Sequence, residues 1–288
     1  MQILYPFAKR FIAGEDLGTA IKNIHSLNQS GFLSTIDVLG EDTQTREQAL
    51  AAKQEYLNLL DQMKAETFPL DLSIKLTQMG LDIDREFCRL NLVDILERAG
   101  HHTVRFDMEG SNTTERIIKE GVTLHRRFRN LGLVLQAYLH RTQEDIGRVI
   151  EEGISTRLCK GAYREPESIA YQDMDAIRDN FFKQARRLLT DGFQPAIATH
   201  DETLIREILS FIEAENIAPG TFFFEMLYGV RRDLQEDLLK KGYRMRIYVP
   251  YGKSWLPYTM RRLAERKENI LFVLKSLFRE TFGLGKLH

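Results

Sequence analysis

Short apolar, β-branched runs alternate with longer amphipathic stretches along most of the chain. The runs at 33–39, 70–76, 103–108, 131–138, 155–162, 194–200, 221–227 and 243–249 read as strands. The stretches at 45–62, 83–99, 113–128, 144–153, 167–189, 202–215 and 232–241 read as helices, with further helical pieces at 258–266 and 268–278. Within 83–99, Ile83, Phe87, Leu90 and Val93 recur at helical intervals with acids and arginines between them, which predicts the buried face of that helix. Nearly continuous apolar strands, each followed by one helix, belong in a parallel sheet covered on its outside. Eight such units favour a closed barrel over an open doubly wound sheet. No G-x-G-x-x-G follows the first strand and no G-x-x-x-x-G-K-[ST] occurs, which weakens the dinucleotide-fold and P-loop readings. The expected fold is therefore α/β, a (β/α)8 TIM barrel forming one domain over 1–288, with a short helical preface over about 1–30.

Composition narrows the class further. The 288 residues are 43% hydrophobic, ample for a sizeable core. Forty Lys and Arg against 41 Asp and Glu leave a net charge of −1, which excludes a globally basic nucleic-acid binder. No apolar run approaches the ~20 residues of a membrane span, and the N-terminus lacks a signal-peptide pattern. Cys88 and Cys159 make neither a disulfide framework nor a Cys-rich zinc site. The sequence reads as that of a soluble cytoplasmic protein.

In a barrel of this kind the chemistry sits where the strands end. Those ends carry Glu41, Lys75, Asp107, Gln136, the run Arg157-Leu158-Cys159-Lys160-Gly161-Ala162-Tyr163, Thr199-His200, Leu227 and Tyr248. Each has a bland reading. Lys75 can point to solvent, Asp107 can precede a helix cap, Gln136 can satisfy backbone groups, Arg157 can pair with an acid, and His200 can be a core histidine. Lys160-Gly161-Ala162 supplies a cation and two small residues, so a ligand's phosphates could approach the backbone; a geometric βα turn is the alternative. Arg261-Arg262, beginning within a turn of Tyr258, suits bidentate capture of a carboxylate or phosphate, or else is a solvated face. No H-E-x-x-H, no Cys–His ligand spacing and no G-x-S-x-G appear, so no metal is expected. The mouth is expected to present cations and donors with few acids, a setting for an anionic cofactor and a small anionic substrate. A phosphate-binding lyase with Lys75 as a Schiff-base amine, and a non-catalytic amino-acid-binding barrel, are the competing readings.

These motifs together resemble the FAD-dependent proline dehydrogenases, in their stand-alone bacterial form. The resemblance runs through Leu39-Gly40-Glu41, Ser73-Ile74-Lys75-Leu76, Phe106-Asp107, Leu135-Gln136-Ala137-Tyr138, the Arg157 to Tyr163 run, Ala198-Thr199-His200, Met226-Leu227-Tyr228-Gly229, Tyr248-Val249-Pro250-Tyr251-Gly252 and Tyr258-Thr259-Met260-Arg261-Arg262. It implies a distorted barrel whose last helix lies over the strand C-terminal ends. It also implies non-covalent FAD and oxidation of L-proline to Δ1-pyrroline-5-carboxylate, with a quinone as electron acceptor; a hydroxyproline-preferring enzyme is the alternative. By position, Arg261, Arg262 and Lys75 would hold the substrate carboxylate, with Tyr248, Tyr258 and Leu227 around its ring. Asp107 and Arg157 would lie at the reacting centre. Met108, Gln136, Arg157, Lys160, Gly161, Ala162, Thr199 and His200 would hold FAD, and Glu41 would gate the pocket by pairing with Arg261. Peripheral contact with the inner face of the cell membrane, and handover of product to a separate pyrroline-5-carboxylate dehydrogenase, follow from the same resemblance. Arg164-Glu165-Pro166 stands where larger relatives carry an aromatic residue after this run, so no aromatic side chain is offered there for stacking on adenine.

Overall fold

The computed structural model describes residues 8–264 except 41, 42, 65 and 67, and for 261–264 describes the backbone only. Eight parallel strands, β1 (Leu33–Val38), β2 (Leu70–Ile74), β3 (Thr103–Phe106), β4 (Leu131–Gln136), β5 (Thr156–Cys159), β6 (Ala196–Ala198), β7 (Phe223–Leu227) and β8 (Met245–Tyr251), close in sequence order into a barrel. Closure is made by β1 against β8, in a register from Leu33 opposite Arg246 to Val38 opposite Tyr251. The helices are α1 (Leu17–Gln29), α2 (Arg46–Met63), α3 (Arg85–Ala99), α4 (Ser111–His125), α5 (Thr142–Glu151), α6 (Met174–Asp191), α7 (Glu202–Ala214), α8 (Arg232–Lys240) and α9 (Trp255–Ala264). Their starts are chemically marked. Asp16, Asp84, Asp173 and Asp201 each accept a backbone N–H of the first turn, and Thr45 with Gln48 forms a capping box on α2.

The barrel is distorted at its seam. Helix α1 packs against β1 and β8, the place that a helix following β8 would otherwise cover. Ahead of it, residues 9–16 form turns and bends that meet the strand ends, within the stretch expected as a helical preface. Ala13 N–H donates to Pro250 O at 2.8 Å and Gly252 N–H donates to Gly14 O at 3.0 Å. Ala8, Phe11, Ile12 and Leu39 then pack with Trp255 and Tyr258, which sets α9 at the C-terminal rim beside the end of β1.

Several element boundaries differ from the sequence expectation, each for a local reason. Ile83 precedes the Asp84 cap of α3, and Leu90 is 58% exposed. The buried face of α3 is instead Cys88, Asn91, Leu92, Ile95, Leu96 and Ala99, because the helix carries apolar residues on two sides and only one meets the sheet. Helix α6 starts at Met174, since 167–173 is tied back to the end of β4 by Ile169 O accepting from His140 N–H and Tyr171 N–H donating to Tyr138 O. Gln194, with φ +42°, and Pro195 hold the chain out of β6.

Alternation along the strands decides what the barrel encloses. Ile36, Val38, Leu72, Ile74, Val104, Phe106, Leu133, Leu135, Leu158, Phe224, Met226, Ile247 and Val249 belong to the apolar core. The residues of opposite parity include Asp37, Asp71, Ser73, Arg105, Arg157, Glu225, Arg246 and Tyr248. Arg157 on β5 bonds Ser73 on β2, and Tyr248 on β8 bonds Asp107 after β3. These strands are not neighbours, so the side chains meet across the lumen.

Candidate active site

Asp107, just past β3, is the hub. It accepts from Ser73 Oγ at 2.6 Å and from Arg157 Nη1 at 2.7 Å through Oδ1, and from the Tyr248 hydroxyl at 2.9 Å through Oδ2. The Arg157 side chain is 5% exposed and that of Asp107 12%. The Arg157 guanidinium also sits 5.1 Å from the Tyr248 ring centroid. Burial pushes the Tyr248 phenol well above its ordinary pKa and the charge of Asp107 adds to the shift, so the hydroxyl stays a donor. Burial pulls the Arg157 pKa down, but Glu225, then Asp107, outweigh it and hold the group above the ordinary arginine value, so it stays charged.

Lys75, just past β2, donates to Asp37 Oδ1 at 3.0 Å. Burial favours its neutral form, yet Asp37 and then Asp107 outweigh this and raise its pKa above that of a free lysine. A lysine held protonated in this way is poorly suited to act as a Schiff-base nucleophile, which removes the support for the lyase reading.

The remaining sequence-predicted residues ring the same end. Gln136 donates to Glu109 O at 3.0 Å, bracing the loop that carries Met108. Glu109 in turn accepts from the Thr77 backbone and hydroxyl, and Ser111 at the start of α4 donates to Glu165 from the β5–α6 loop. Gly161 has φ +122°, and a Cβ there would lie 2.3 Å from the Tyr138 ring, so only glycine fits. Lys160 Nζ pairs with Asp201 Oδ2 at 2.5 Å, an acid that Arg178 Nε shares at 2.8 Å. Ala162 is exposed, and Thr199 is buried with its hydroxyl accepting from Asp201 N–H. The Leu227 N–H donates to His200 Nε2 at 2.9 Å. A backbone N–H can only donate, so His200 Nε2 lacks a proton and Nδ1 carries the ring's hydrogen. Tyr258 is buried at the rim. Arg261 and Arg262 lie on the backbone of α9, but their side chains, like all of Glu41, fall outside the described residues.

One expectation is corrected. The mouth is not poor in acids: Asp37, Asp107 and Glu109 are buried there, and Asp71 and Glu225 are buried in the barrel below them. Below Arg157 lie Arg105 and Arg246, equally absent from the sequence-based site, with Asp71 accepting from Arg105 at 2.8 Å and contacting Arg246 at 2.9 Å. The signal was present as single charges at alternate positions inside otherwise apolar strands. Reading those strands as continuous apolar runs hid it.

A parallel (β/α)8 barrel with a buried constellation of charge at the strand C-terminal ends defines an enzyme of the TIM-barrel class. The chain belongs to the proline dehydrogenase family, whose sequence profile matches residues 20–275. It is 37% identical over 275 residues to proline dehydrogenase 1 of Bacillus subtilis (strain 168), covering 95% of this chain and 91% of that protein. It is 32% identical over 285 residues to the proline dehydrogenase of Deinococcus radiodurans, covering 96% and 92%. The crystal structure of proline utilization A from Bdellovibrio bacteriovorus, inactivated by N-propargylglycine, shares the fold with a TM-score of 0.85 at 24% identity. The match covers 99% of this chain and spans about a third (34%) of that longer protein. Among the described residues no helix is long and apolar enough to cross a membrane.

Proposed function

We propose that this protein oxidises L-proline to Δ1-pyrroline-5-carboxylate using non-covalently bound FAD, with a quinone as the final electron acceptor. The observation that carries the reading is Arg157. Its Nη2 is buried and has no hydrogen-bond partner among the described residues, while Nη1 is anchored on Asp107 and Ser73. A fixed guanidinium with one nitrogen and its two N–H donors to spare fits a large acceptor-bearing ligand at the barrel mouth. The half-buried Gly161 and exposed Ala162, with the Lys160 and Arg178 cations that share Asp201, offer further donors and open backbone to the same ligand. Met108, Gln136, Arg157, Lys160, Gly161, Ala162, Thr199 and His200 would hold the FAD, which supplies the hydride acceptor when bound.

The chain's own residues do the rest. Proline loses a hydride from C5 and a proton from nitrogen, leaving a C=N bond. Protonated Lys75, with Arg261 and Arg262, would pin the carboxylate, and a cationic clamp also favours the neutral amine by repelling the ammonium. Tyr248 and Tyr258 would bracket the ring, with Leu227 as apolar wall. Tyr248 keeps its proton and is not the base; water is assigned the amine proton. Glu41 would gate the pocket through Arg261. Peripheral contact with the inner membrane face, where a quinone is met, and transfer of product to a separate pyrroline-5-carboxylate dehydrogenase complete the reading.

The purified protein should show a flavin band that proline bleaches; a colourless protein, or a band unmoved by proline, refutes the proposal. Arg261→Met should raise KM for proline roughly 10- to 100-fold with flavin retained, the equivalent of one or two charge-assisted hydrogen bonds. An unchanged KM removes Arg261 from the clamp. Comparing kcat/KM for proline and trans-4-hydroxyproline separates the two substrates.

A further inference from the structure

The charges beneath the site form one continuous series of alternating sign. Arg105 Nη2 donates to Asp71 Oδ2 at 2.8 Å, and the same oxygen lies 2.9 Å from Arg246 Nη1. Arg246 Nη1 stands 3.8 Å from Glu225 Oε2, Glu225 Oε1 stands 2.9 Å from Arg157 Nε, and Arg157 Nη1 reaches Asp107 at 2.7 Å. All six residues are buried. Gly132 is part of the device, since a Cβ there would lie 2.7 Å from Arg105 Nη1. Arg246 is pinned by the Phe223 ring, 3.8 Å from its guanidinium carbon.

Barrel interiors are ordinarily filled by branched aliphatic side chains, and buried ion pairs are commonly less stabilising than an apolar packing of the same volume. Glu225 is the telling member. Both its carboxylate oxygens are buried without a hydrogen bond among the described residues, so there it interacts with the two arginines as a charge and little else. A charge held in low dielectric acts over distance.

We propose that Glu225 and Arg246 are positioning residues that tune Arg157: Glu225 holds it and partly cancels its field, Arg246 partly cancels Glu225, and together they set the reduction potential of the flavin. The inference rests on the reading that Arg157 meets that cofactor. Reduction adds negative charge beside Arg157, so removing the Glu225 charge should favour it and removing the Arg246 charge should oppose it.

The test is the two-electron midpoint potential of the holoenzyme, measured by spectroelectrochemical titration. Glu225→Gln should raise the potential by at least a tenfold shift of the oxidised–reduced equilibrium, about 30 mV for a two-electron couple. Arg246→Met should lower it by less, being one step further away, and Glu225→Asp should stay near wild type. KM for proline should hold within about twofold in each. General structural damage would move the potentials in one common direction; that result, or no movement with flavin retained, overturns the proposal. If Glu225→Gln does not fold, a potential unchanged or raised in Arg246→Met overturns it alone. A wild-type protein without flavin would instead sink the functional reading, whereas a proline-reducible wild type with unmoved variants sinks only the role of these two residues.

Discussion

Replacing Asp107 by Asn keeps the side chain's shape and removes its charge, leaving one acceptor where three donors now converge. Arg157, Ser73 and Tyr248 approach it at 2.7, 2.6 and 2.9 Å. A unit charge pair at about 4 Å is worth roughly 4 kcal/mol at an effective dielectric of 20, and breaking a buried pair from one side costs about 3–5 kcal/mol. With both side chains at most 12% exposed, solvent screening is slight. The retained Asn oxygen recovers about 1 kcal/mol. We therefore expect a loss of about 3 kcal/mol, a large share of the 5–15 kcal/mol typical of a folded protein. Urea unfolding at neutral pH, at matched flavin content, should show the midpoint falling by about 1 M at unchanged slope. Tyr248→Phe should cost about 1–2 kcal/mol, and the double variant should lose less than the sum, because the hydroxyl's partner is already gone. A loss under about 1 kcal/mol for Asp107→Asn, or strict additivity of the pair, would refute the hub.

Two further outcomes follow from the same contacts. Gly161→Ala meets the Tyr138 ring at 2.3 Å in a left-handed backbone, so it should lower stability by about 2 kcal/mol or more and weaken flavin retention, checked by thermal unfolding and flavin-to-protein ratio; wild-type values would show that the turn can relax. His102, 3% exposed with Nδ1 accepting from Leu70 N–H, has its pKa pulled down from 6.5 to about 4, chiefly by burial. The unfolded chain therefore binds the proton that the folded one refuses, and stability is lost as pH falls from 6.5 toward 4, by about 2 kcal/mol at pH 5. His102→Asn keeps an acceptor at that place and should flatten the pH dependence of the urea midpoint over this window; parallel curves would refute the assignment.

The local period of the chain carried most of the barrel. Eight alternations of apolar run and amphipathic stretch are a consequence of parallel strands covered by helices, and they predicted all eight strands, while polar residues at strand ends marked Lys75, Asp107, Arg157 and Tyr248 without any tertiary information. Local period does not carry facing. Whether Asp37, Asp71, Glu225 or Arg246 turns into the lumen depends on the register by which β1 closes against β8, a pairing between segments at opposite ends of the chain. The same holds for α3, whose two apolar sides are equivalent until the sheet covers one. It holds for residues 9–16 too, whose turns are stabilised by Pro250, Gly252 and Trp255 far along the chain. Burying a charge is favourable only once its counter-charges have been gathered around it, so the alternating series beneath Arg157 exists as an energetic object only in the closed barrel.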